Sequence, residues 1–305
     1  MKPDLSVDLC GVRLSNPTIL ASGILGTTKQ ILLRVAEEGG AGAVVCKSIS
    51  VEPRAGHHNP TILVFEAGLM NAVGYSNMGI ESALKEFAKW ESKKPLIMSL
   101  VAKDAEEFGR LAAMAKPIPC SAIEIVLSCP HTPGLGLLAG QGTPEATAEI
   151  TKAVRKQTKH PLFVKISASL PAIGEIAKAA EKEGADAITC TNSIGPGMVI
   201  NLEARKPVLD FKVGGVSGPA IRPIAVRSVY DLYQAVKIPI IGCGGVTTGK
   251  DAIEFVMAGA RAVQIGSATY YRGINVFEKV CGEMEDWMKK NQVGNLDEII
   301  GAAHD

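Results

Sequence analysis

The sequence predicts a single (β/α)8 (TIM) barrel spanning residues 1–305, and three observations carry that expectation. Eight short, β-rich apolar runs recur along the chain. Amphipathic stretches of helical character separate them. The runs are nearly continuous in apolar residues, as expected of parallel strands covered on both faces. Eight such units in a chain of 305 residues fill one barrel.

The runs are TILAS (18–22), AVVCK (43–47), PLIMSLV (95–101), AIEIVL (122–127), LFVKIS (162–167), AITCTN (187–192), PIIGC (239–243) and AVQIGS (262–267). Between them, KQILLRVAEEGG (29–40), DAEEFGRLAAMA (104–115), PEATAEITKAVRKQ (144–157), IGEIAKAAEKEG (173–184), PIAVRSVYDLYQAV (223–236) and GKDAIEFVMAGA (249–260) read as helices. The first and fourth end in Gly, a usual helix stop. The tail 273–290 supplies a last helix. Three connections are enlarged: 48–80, 128–144 and 193–219, after the second, fourth and sixth strands. They are rich in Gly, Pro and Asn. In a parallel barrel they leave the C-terminal ends of the strands, where barrel enzymes carry their sites.

Bulk properties exclude several classes. The net charge is +1, so no field favours nucleic acid or an anionic membrane. No apolar run reaches the length of a membrane span, and the N-terminus MKPDLSVDLC lacks the apolar core of a signal peptide. The seven cysteines are scattered without a C-x-x-C pair. That predicts reduced thiols in a cytoplasm, with no disulfide framework and no metal site built by this chain alone.

Residues able to do chemistry collect at the strand ends. Gly244-Gly245 and Gly266-Ser267 follow the last two strands, where barrels often bind phosphate through backbone N–H groups. Lys47 and Lys165 end two others. A lysine there is a Schiff-base candidate or neutralises an anionic ligand; otherwise it snorkels from the barrel mouth. Asn71 and Asn192-Ser193 offer planar amides suited to an amide-like heterocycle, although each alone is also an ordinary turn residue. Cys129 in IEIVLSCPHTPGLG (123–136) sits at a strand end before a proline and a long loop. That setting makes it the candidate base or nucleophile, while the other six cysteines read as packing. His131 reads as a solvated loop histidine that could assist Cys129.

Taken in order, NPTILASGILG (16–26), Lys47-Ser48, EPRAGHHNPTILVFEAGLMNAVGYSN (52–77), SCPHTPG (128–134), TNSIGPGMVI (191–200), GGVSGPAIRPIAVRSVYDLY (214–233), IIGCGGVTTGKDAIEFVMAGA (240–260) and AVQIGSA (262–268) resemble the class 1 dihydroorotate dehydrogenases, most closely the NAD-linked type-B form. The resemblance covers nearly the whole chain. It implies an FMN-binding (β/α)8 barrel of pyrimidine biosynthesis. It implies FMN contacts at Ala21, Ser22, Lys47, Ser48, Ser99, Lys165, Thr191, Gly218, Gly244, Gly245, Gly266 and Ser267. It implies substrate contacts at Lys47, Asn71, Val73, Gly74, Tyr75, Asn192 and Ser193, with Cys129 as catalytic base and Lys47 beside the reacting ring. It further implies a homodimer and a partner subunit carrying FAD and a [2Fe–2S] cluster. Two positions depart from the family pattern. Val126 stands where the family usually has an Asn that touches flavin and substrate, and Ser99 replaces a flavin-contacting Asn. Related readings are an enzyme acting on dihydrouracil or dihydrothymine, a flavin-free Schiff-base lyase, and a flavin-binding barrel without catalysis.

Overall fold

The computed structural model describes residues 3–129, 134–135, 140–170 and 172–304. Pro130 and His131 fall outside the described residues, and with them the reading of His131 as an assistant to Cys129. In chain order the elements begin with a hairpin, β1 (Val7–Leu9) and β2 (Val12–Leu14), followed by β3 (Thr18–Leu20), α1 (Lys29–Glu37) and β4 (Ala43–Val45). The first long connection holds β5 (Ile62–Phe65) and β6 (Gly68–Asn71) and leads into α2 (Gly79–Glu86). Then come β7 (Leu96–Leu100), α3 (Ala105–Met114), β8 (Ala122–Val126), α4 (Pro144–Arg155), β9 (Leu162–Ile166), α5 (Ile173–Lys182) and β10 (Ala187–Cys190). The third long connection holds β11 (Ile194–Gly197), β12 (Ile200–Asn201), β13 (Lys206–Pro207) and β14 (Gly214–Ser217). The chain closes with α6 (Arg222–Ala235), β15 (Ile240–Cys243), α7 (Gly249–Met257), β16 (Ala260–Ile265), α8 (Ala268–Arg272) and α9 (Val276–Lys290).

All eight expected strands form one closed parallel barrel, ordered β3-β4-β7-β8-β9-β10-β15-β16 around the ring. The expected helices form at the expected places, because each carries an apolar stripe that the strand ring can cover. Asp104, Thr143 and Thr248 cap α3, α4 and α7 with their side chains. Each cap satisfies an N–H group that the helix itself leaves open. The core between ring and helices is aliphatic, with Phe108, Phe255 and Phe277 fully buried in it. Among the described residues no helix is long and apolar enough to cross a membrane.

The long connections do more than extend the mouth. Strands β5 and β6 from the first join β14 and β11 from the third in one antiparallel sheet, ordered β11-β14-β6-β5. Leu63, Met70, Ala72 and Leu209 give this sheet its own small core. By sequence pattern alone both stretches read as loops. Their strands are short, and Gly and Pro within them hide the period-2 pattern. The amino-terminal hairpin and α2 were missed for the same reason of length.

Packing between ring and helices is close. At Gly242 in β15 an added Cβ would lie 2.4 Å from Cδ1 of the buried Phe255 ring. The Gly242→Ala protein is expected to lose about 1–3 kcal/mol, read as a lower urea midpoint at unchanged slope.

Candidate active site

A cavity opens at the C-terminal ends of the barrel strands, beneath the antiparallel sheet. Ala21, Ser22, Lys47, Ser48, Cys129, Asn192 and Ser193 line it from the barrel side. Asn71, Val73, Gly74, Tyr75 and Gly218 line it from the sheet side. Gly244, Gly245, Gly266 and Ser267 close one end. Barrel closure thus gathers residues that lie more than two hundred positions apart in sequence.

The floor is a buried polar network. The Lys165 ammonium donates to Gln264 Oε1 at 2.7 Å and lies 3.8 Å from Glu124 Oε1. Gln264 Nε2 and the Thr189 hydroxyl donate to Glu124 Oε2 at 2.6 and 2.9 Å. All four side chains are buried. They come from β8, β9, β10 and β16, so the network spans the inside of the ring. Burial alone would push the Lys165 ammonium down, but the Cys243 sulfur and the Glu124 carboxylate outweigh it and the net shift is upward. Lys165 is therefore held as a cation under the cavity; it does not snorkel out of the mouth. Glu124, Gln264 and Thr189 were not singled out from sequence. The available signal was one acid inside an otherwise apolar strand, which a buried strand tolerates only when the acid is paired.

Cys129 stands on the wall, buried just past the end of β8. Two residues with ionisable heads face it. Lys47 is buried and has no carboxylate partner among the described residues. Burial pulls its ammonium below the ordinary range, and the Cys129 sulfur opposes that pull. An anionic ligand oxygen in the cavity would oppose it further. Tyr75 approaches from the sheet side. Burial first, then the Cys129 sulfur, pushes its phenol well above the ordinary value. The amide of Asn192 is oriented: Nδ2 donates to Ser128 Oγ at 3.1 Å, and Oδ1 accepts the Ser193 N–H at 2.8 Å. One Nδ2 hydrogen remains for a ligand. Val126 also reaches the cavity wall, two residues along β8 from Glu124 on the same face of the strand.

The glycine end is shaped as a cradle. Gly245 takes φ +78°, and an added Cβ would lie 2.8 Å from both Gly218 O and Arg222 Cβ. The backbone amides of Gly244, Gly245 and Ser267 donate to no backbone carbonyl among the described residues. The loop behind them is fixed from outside. Asp251 accepts the Thr247 and Thr248 N–H groups at 2.9 and 2.8 Å and pairs with Arg222. Arg272 donates to Thr247 O at 2.7 Å and pairs with Glu283, which accepts the Gly249 N–H at 2.6 Å.

Two residues expected at the cofactor do not line the cavity. Ser99 is fully buried behind the wall, with its hydroxyl 3.2 Å from Ser22 and 2.9 Å from Ser48. It supports those two hydroxyls from behind. Thr191 is also buried, and its hydroxyl accepts the Ala168 N–H at 2.8 Å. The other expected site residues converge on the one cavity.

A closed parallel barrel with such a cavity at the C-terminal mouth places the chain among the (β/α)8-barrel enzymes. The family model described as dihydroorotate dehydrogenase matches residues 4–288, and the chain belongs to that family. The protein named dihydroorotate dehydrogenase B (NAD(+)), catalytic subunit, of Methanothermobacter thermautotrophicus is 44% identical over 302 residues, 99% of each chain. The proteins of the same name from Methanocaldococcus jannaschii and Pyrococcus abyssi are 43% and 44% identical, with at least 98% of each chain covered. Crystal structures of DHODH from Eimeria tenella, one with ferulenol and one ligand-free, superpose with TM-scores of 0.86 and 0.84. At 22% and 23% identity, over 99% of this chain and 89% and 92% of theirs, that likeness is one of fold.

The floor network makes a stability prediction. Glu124→Leu strands the Lys165 ammonium in the ring and should cost about 3–5 kcal/mol in chemical denaturation. Adding Lys165→Met should recover most of that loss. Because the Lys165 value is raised in the folded protein, the pair's contribution is full below the ordinary lysine value of about 10.4. It is lost as pH rises from there through the folded value.

Proposed function

We propose that the chain oxidises dihydroorotate to orotate with FMN, as the catalytic subunit of an NAD-linked dihydroorotate dehydrogenase. The observation that carries this reading is the convergence of Cys129, Lys47 and two amide side chains on one cavity, above a buried lysine and beside a glycine cradle. The residues fit FMN. The amides of Gly244, Gly245 and Ser267, which donate to no backbone carbonyl among the described residues, match a phosphate at the end of the cavity. Lys165 would supply the fixed positive charge that suits a reduced flavin, and Ser22 and Ser48 would offer it hydroxyls. When bound, FMN would supply the acceptor for a hydride from C6 of the substrate.

The chain's own residues do the rest. Cys129, as thiolate, takes the proton from C5, so the C5–H bond breaks and an S–H bond forms. Lys47 pairs with an anionic group of the ligand, and the charge of dihydroorotate is its carboxylate. Asn71 and Asn192 hold the alternating N–H and C=O edges of the ring. The sheet above the cavity excludes water from the thiolate and the C5 proton. The relatives are named NAD(+)-linked catalytic subunits, which supports a partner subunit that passes the electrons to NAD; FAD and a [2Fe–2S] cluster in that partner are what the family resemblance implies.

Three outcomes are expected. Cys129→Ala should keep FMN, read from the flavin absorption spectrum, and lose most turnover at neutral pH; full activity would remove Cys129 as the base. Flavin reduction by dihydroorotate should rise with pH, since only the thiolate is basic and an ordinary thiol ionises near ~8.5. Val126→Asn adds a hydrogen-bonding group to the wall and should leave orotate affinity unchanged or improved in a spectral titration. A loss beyond tenfold would show that the wall needs an apolar side chain there.

A further inference from the structure

One oxygen of the floor network has no hydrogen bond. Glu124 is fully buried, and its Oε2 accepts both the Gln264 amide and the Thr189 hydroxyl, whereas Oε1 accepts nothing. Buried carboxylate oxygens are rarely left so. Among the described residues the charge that faces Oε1 is the Lys165 ammonium, 3.8 Å away. The ammonium in turn has one hydrogen-bond acceptor among the described residues, Gln264 Oε1 at 2.7 Å. Gln264 cannot turn its amide around without losing Glu124, so its oxygen stays on the lysine. Lys165 and Gln264 line the cavity; Glu124 and Thr189 do not. The carboxylate therefore stands behind the lysine and acts on a ligand only through it.

Three ionisable groups act on the ammonium: Glu124 from β8, Cys190 from β10 and Cys243 from β15. Burial pushes both thiols above their ordinary range, so neither is charged at neutral pH. Among the described residues, Glu124 is then the one anion facing Lys165 under those conditions. We propose that Glu124 is a positioning residue that makes the Lys165 charge permanent, so that reduction of FMN in this cavity takes up one proton and not two. The inference rests on the reading of the cavity as an FMN site. A hydride from C6 of dihydroorotate carries two electrons and one proton: the C6–H bond breaks, and the cofactor gains one negative charge. With Lys165 already an ammonium, that charge is met with no further proton. With Lys165 as a free amine, a second proton has to reach Nζ. The floor is closed to such traffic, since Lys165 is 4% exposed, Gln264 1%, and Glu124 and Thr189 not at all.

The test is the midpoint potential of bound FMN against pH, read by spectroelectrochemical titration of the holoenzyme between about pH 7 and 9, where a buried lysine without a counter-charge titrates. For a two-electron couple each proton taken up adds ~30 mV per pH unit to the slope. The unmodified protein should show ~30 mV per pH unit. In Glu124→Gln the slope should steepen towards ~59 mV, because the lysine now gains its proton only on reduction. Thr189→Val disturbs the same network but keeps the carboxylate, and its slope should match that of the unmodified protein. Equal slopes in the unmodified and Glu124→Gln proteins overturn the inference. So does an equal steepening in Thr189→Val, which is what a loosened floor alone would give. Should Glu124→Gln fail to fold, the unmodified holoenzyme still decides, since a slope of ~59 mV there means that Lys165 exchanges its proton. A protein that takes up no FMN overturns the reading of the site, and the inference with it.

Discussion

The contact on which the rest of the site depends is the buried pair of Lys165 and Glu124. A lysine and a glutamate inside a barrel are costly to desolvate, and only their mutual contact and further hydrogen bonds offset that cost. Gln264 and Thr189 supply those bonds, so four strands must be in register before the charges are satisfied. Register around the ring therefore sets the position of a fixed positive charge. The cavity lies directly above it, and an electron-rich ring system placed there meets a cation that needs no rearrangement.

Around that floor the mouth is divided by chemistry. One side carries the serine hydroxyls of strands β3, β4 and β7, which bond to one another and leave two facing the cavity. The opposite side carries Cys129 and the oriented amide of Asn192. The end is a glycine cradle buttressed by two arginine–carboxylate pairs outside it. Over all of this lies a sheet woven from two connections more than one hundred residues apart. The sheet gives the mouth its upper wall and brings Asn71 and Tyr75 to the cavity.

Much of this was legible in the chain. Continuous apolar runs such as AVVC, recurring between amphipathic stretches, read as covered parallel strands, so the barrel followed from pattern alone. Strand-end residues such as Lys47 and Gly244-Gly245 were legible because the barrel assigns them to one face. Three things were not. The sheet over the mouth depends on pairing between β6 and β14, and neither strand carries a local signal strong enough to announce the other. Gln264 looked like an interruption in AVQIGS, because its partners sit on other strands. Ser99 and Thr191 were placed at the cofactor by resemblance to the family. Here their side chains bond within the wall, and motif spacing does not report which way a hydroxyl turns.

The proposed oxidation would use the cationic floor, Cys129 as thiol base and Lys47 against a carboxylate. Its substrate must then carry both an acidic C5 proton and an anionic group. The direct measurement is anaerobic bleaching of the bound flavin by dihydroorotate against dihydrouracil, which shares the ring edges but lacks the carboxylate. Bleaching should be complete with dihydroorotate and absent with dihydrouracil on the same timescale. Bleaching by dihydrouracil at an equal or greater rate, or no bleaching by dihydroorotate, would contradict the proposed oxidation.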